Sequence, residues 1–141
     1  MTPALAALLA DAVLVLHAGV VAFVVLVALA VPVGGVRGWR WVRGYALRSV
    51  HLALALVIAL QAWLGRLCPL TTWEQALRTR AGQDTYGESF IQYWLSRLIF
   101  FDAPWWAFVL AYTLFAVLVA AGWWRWPPRR RRGARILAGC E

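Results

Sequence analysis

His17 and His51 are the only histidines in the chain, and each falls inside a long apolar run. An ionisable group within a membrane is costly and marks a functional position by default. Two imidazoles on neighbouring helices also form the smallest protein ligand set for haem b or a transition metal. A third reactive candidate is Cys68, followed by Pro69 in the polar segment GRLCPLTTWEQALRTRAG that starts at Gly65. A thiolate there would draw on Arg66, two residues back, and on a helix start just beyond. It could equally serve as a haem-iron ligand, with Glu74 as an acid or base beside it.

The same residues also admit plainer uses. Each histidine could hydrogen-bond across helices to a backbone carbonyl, to Gln61 or to Asp11. A free cysteine is usually a small buried side chain. Thr71-Thr72-Trp73-Glu74 fits a capping box, which predicts a helix over 72–81 with Arg78 and Arg80 in its last turns and Gly82 as its stop. Asp11 lies six residues before His17, about 240° round a helix, and so on another face.

The elements that must position these groups are membrane spans. Of 141 residues, 63% are hydrophobic and 14% charged, which is the balance of long apolar runs rather than of a soluble core. The net charge of +8 comes from arginine alone, as no lysine occurs. These arginines flank apolar runs, so they read as topology signals at a lipid surface, with no nucleic acid expected as a partner. Two cysteines, Cys68 and Cys140, are too few for a disulfide framework and match no zinc spacing.

In chain order, residues 4–33 form a first span, about 45 Å long as a helix and therefore tilted or partly emergent. No basic side chain opens it, so it reads as retained rather than as a secretory signal. Pro32, Gly34 and Gly35 are expected to end it. Arg37, Arg40, Arg43 and Arg48, interleaved with Trp39 and Trp41, mark a headgroup-level connection. Residues 45–64 form the second span and 104–124 the third. Between them, 65–103 is a polar outer segment containing a short amphipathic helix at 89–101, either lying flat or re-entrant. The sequence thus predicts one helical membrane domain over 1–126 and a basic, disordered tail over 127–141. Arginine counts place the first connection and the tail on the cytoplasmic side of a bacterial inner membrane, with the N-terminus and the Cys68 loop outside.

One family is similar to this pattern. Asp11, His17, His51, Gly65, Cys68, Pro69, Leu70, Thr71, Glu74, Leu77, Arg78, Phe90 and Ile91 match, in order and spacing, the bacterial membrane-protein family known as domain of unknown function 2784. The resemblance runs from about Leu9 to Trp124 and rests chiefly on CPLT followed by Glu at this spacing. Gln61 and Thr72 depart from it, where the family often has an acidic residue and a proline, which weighs against a catalytic role at either. The resemblance implies a compact helical bundle in the cytoplasmic membrane and supplies no activity.

The expected fold is an all-α integral membrane protein with three transmembrane helices, a short capping-box helix and an interfacial or re-entrant helix. The expected role is structural or accessory, with the polar outer loop over the bundle and with anionic lipid or another membrane protein as partner. The alternative is a redox or metal protein using His17 and His51.

Overall fold

The computed structural model describes residues 1–85, 91, 93 and 104–129. Four helices carry this part of the chain. They are α1 (Pro3–Arg37), α2 (Tyr45–Trp63), α3 (Pro69–Arg80) and α4 (Trp105–Arg125), with a 3-10 turn at Trp41–Arg43 before α2. No strand forms among the described residues beyond one isolated parallel bridge, Gly44 to Arg129. Three of the helices (α1, α2 and α4) are long and apolar enough to cross a membrane. They expose large apolar side chains such as Leu26, Leu29, Leu60 and Leu118, a surface suited to lipid rather than water. The protein is an all-α membrane protein.

Local chemistry sets the ends of α1. Thr2 caps its start by accepting from the Leu5 N–H at 3.3 Å, and Pro3 occupies the first turn, where no N–H is needed. The helix does not stop at Pro32, Gly34 and Gly35; it runs to Arg37 and ends on Gly38, at φ 74°. The glycines serve close packing instead of termination. A Cβ on Gly34 would come within 2.7 Å of the Val42 side chain, and one on Gly35 within 2.6 Å of the Trp126 indole. At 35 residues α1 is about 52 Å long, against about 28 Å for α2 and 31 Å for α4.

The helices pair as α1 with α3 and α2 with α4. The α2–α4 seam is built on small residues, with Ala55 and Ala59 against Ala116 and Val119, flanked by Leu52, Tyr112 and Phe115. Small side chains let two backbones approach closely where no water is available to drive association. Hydrogen bonds tie one end of the seam: Trp63 Nε1 donates to Thr113 Oγ1 at 2.9 Å and Trp105 Nε1 to the Ala62 carbonyl at 3.1 Å. At the other end Arg129 N–H donates to the Arg43 carbonyl at 2.7 Å, and the Arg43 guanidinium reaches the Pro127 carbonyl at 3.4 Å. The first residues of the basic tail are thus pinned to the first connection. Of the helix expected at 89–101 only Ile91 and Tyr93 are described, both helical, and the remainder of the tail lies outside the described residues.

Candidate functional site

The chain reverses out of α2 at Gly65, whose φ of 61° suits a residue without a Cβ. Pro69 then opens α3, three residues earlier than the capping-box reading places the start. Cys68 occupies the cap position, half-buried and with a free thiol, and makes no side-chain capping bond. Thr71 is therefore no cap. It lies in the first turn, fully buried, with its hydroxyl 3.5 Å from His17 Nδ1 on α1. A proline at the first helical position leaves one fewer N–H to satisfy and sets the start at Pro69, which places Thr71 inside the first turn for this contact.

One turn along α3, Glu74 is 1% exposed and accepts from Arg78 Nε at 2.7 Å. Arg78 Nη2 also donates to Asp11 Oδ1 at 3.2 Å, and Nη1 to Gln83 Oε1 at 2.9 Å. As α3 advances from Thr71 to Arg78, its partners on α1 recede from His17 to Asp11, so the two helices run antiparallel. Asp11, His17, Thr71, Glu74 and Arg78 form one polar seam between them. The hydrogen bond to Glu74 raises the pKa of Arg78 above the ordinary guanidinium value; partial burial works against this, and the charges of Glu74 and Asp11 add to it. This guanidinium stays charged at any pH the protein meets. Chemically the seam places a buried carboxylate one turn along α3 from the hydroxyl that meets His17.

The second histidine serves another junction. His51 is 2% exposed, its Nε2 lies 2.9 Å from the Val24 carbonyl, and its ring meets Phe23 and Phe115 edge-on. Val24 is seven residues beyond His17 on α1, about 10 Å along the axis. The two imidazoles therefore engage different partners at different depths. Among the described residues, no three His, Cys, Asp or Glu side chains gather in a metal-binding group.

A further polar residue lies one turn from His51. Arg48, which the sequence reading counts with the surface arginines, is 1% exposed. Its guanidinium sits 5.9 Å from the centroid of the Trp123 ring, and its Nε and Nη1 have no hydrogen-bond partner among the described residues. Arg48 and His51 line a cavity of about 460 Å³ between α1, α2 and α4. No sequence pattern flags this burial, because an arginine at the start of an apolar run reads as its flank.

Comparison with curated proteins and with solved structures returns no match. The match that exists is to a family, and it takes in α1 to α4, the polar seam and the cavity alike. From residue 7 to residue 128 the sequence fits the family described as Protein of Unknown function (DUF2784), and the chain belongs to that family.

Proposed function

We propose that the protein is a structural or accessory component of a bacterial inner membrane. The polar seam fastens α3 over the bundle on the outward side, and the arginine-bearing ends of α1 and α4 face the cytoplasm. One observation carries this reading. The polar groups that could do chemistry at the seam are engaged with one another: Asp11 and Glu74 with Arg78, and Thr71 with His17. His51 likewise lies on a backbone carbonyl of the neighbouring helix. Such bonds specify which helix packs against which, where lipid would otherwise tolerate many arrangements. Arg37, Arg40, Arg43, Arg125 and Arg129 lie at one end of the bundle, which supports the orientation. The partner is another membrane protein or anionic lipid at that end.

Absorbance and metal analysis of protein purified from iron-replete cells test the proposal. A colourless preparation with less than one metal per chain is expected. A Soret band that disappears in His17→Ala or His51→Ala would overturn the structural reading in favour of the redox one.

A further inference from the structure

Burying a guanidinium is expensive unless its N–H groups are satisfied and its charge is met. Within the described chain Arg48 has the Trp123 ring against its charge and no carboxylate. Two of its nitrogens are buried and unpartnered, as are Ser49 Oγ beside it and Nε1 of the Trp123 ring that it faces. The ion pairs of the described residues use Asp11 and Glu74, both with Arg78 on α3. The other charged residue lining the cavity, Arg125, is also cationic. Arg48 thus lines a cavity whose walls hold a second cation and no counter-charge, with two of its guanidinium nitrogens buried and unpartnered.

Its walls say what kind of anion fits. Leu29 of α1 and Phe115 and Leu118 of α4 make an apolar flank, and Leu29 and Leu118 are 62% and 69% exposed on the lipid-facing surface. The cavity therefore opens sideways, toward lipid. Arg48 lies three residues inside the start of α2, about 4.5 Å along its axis, which is the depth where headgroups meet hydrocarbon. Pro32 and Ala28 of α1 also line the cavity. Because proline has no N–H, the Ala28 carbonyl lacks its usual helical donor and is left as an acceptor there. A volume of about 460 Å³ falls in the usual range for a ligand pocket.

We propose that this cavity binds an anionic phospholipid, with the phosphate accepting from the Arg48 guanidinium, the acyl chain lying along Phe115 and Leu118, and a headgroup hydroxyl within reach of the Ala28 carbonyl. The inference rests on the proposed anionic-lipid partner at this end of the bundle and gives it a site, while the site is separate from the α1–α3 seam and independent of the structural reading of that seam.

Native mass spectrometry of the full chain in neutral detergent, with phosphatidylglycerol and phosphatidylcholine as competing probes, tests the assignment. The wild type should retain phosphatidylglycerol about tenfold more strongly than phosphatidylcholine, because choline sets a third cation beside Arg48 and Arg125 and offers no hydroxyl to the Ala28 carbonyl. Arg48→Gln should erase that preference, and Arg40→Gln, at an exposed arginine away from the cavity, should keep it. Ala28→Phe fills the cavity from α1 and leaves the guanidinium in place; it should lose bound lipid while keeping its helical circular dichroism. Should Arg48→Gln fail to fold, Ala28→Phe decides alone: lost preference supports the proposal and unchanged preference sinks it. A wild-type preference that survives Arg48→Gln also sinks it. Inorganic phosphate that binds wild type and Ala28→Phe alike, with no retained lipid in either, would assign the arginine to a free anion and overturn the lipid reading.

Discussion

Arg78 bridges two carboxylates of very different burial, and the two halves of that bridge should respond differently to mutation. Glu74 is almost wholly enclosed, whereas the Asp11 side chain is 65% exposed. Replacing Arg78 by methionine leaves a buried carboxylate without its strongest partner and should cost about 3 kcal/mol or more. Asp11→Asn removes only a solvated contact and should cost under about 1 kcal/mol. Denaturant titration in detergent, followed by circular dichroism, separates the two, and equal losses would contradict the burial argument. Half of this bridge is legible in the sequence, since Glu74 and Arg78 are four residues apart on a short helix. Asp11's share is not legible, because only the antiparallel pairing of α1 and α3 brings position 11 to position 78. His51 meets the Val24 carbonyl, a contact across helices of a kind the sequence allows without naming its partner. Arg48 escapes notice for a physical reason: its burial is made by Gly122 and Trp123 on a helix 70-odd residues away.

Among the elements, α1 best shows how breaker residues can be misread. Proline and glycine weaken a helix by propensity, yet α1 continues through Pro32, Gly34 and Gly35 because packing outweighs a local preference of about 1 kcal/mol per glycine. What the glycines supply is clearance. Gly35→Ala should therefore destabilise the protein by about 1–3 kcal/mol through overlap with the Trp126 indole, although alanine is the better helix former. Trp126→Ala in the same chain should recover most of that loss. If Gly35→Ala alone stabilises the protein, the helix is limited by propensity there and the packing account fails. The spans themselves are legible from length and hydropathy, and α2 and α4 begin and end within a residue or so of the positions the sequence indicates. The start of α3 is not, because two helix-start signals overlap: Pro69 fits a first helical position and Thr71 fits a cap. The structure uses the proline.

For the whole molecule, orientation is the property with the widest reach, and it rests on arginine asymmetry. Single cysteines introduced at Gln83 and Arg40, in a chain with Cys68 and Cys140 replaced by serine, report on opposite ends. An impermeant maleimide should label Gln83→Cys in intact cells and Arg40→Cys only after permeabilisation; the reverse pattern would invert the molecule. The lengths of the spans then have a bearing on the membrane itself. A rod of about 52 Å cannot stand upright inside a film about 30 Å thick, although its two companions fit that film almost end to end. Even the largely apolar stretch between Asp11 and Arg37, residues 12–36, makes about 37 Å of helix. The first helix must lean, and the thinner the film, the farther it leans. Its angle is thus a gauge of bilayer thickness, readable by infrared dichroism in lipids of graded chain length.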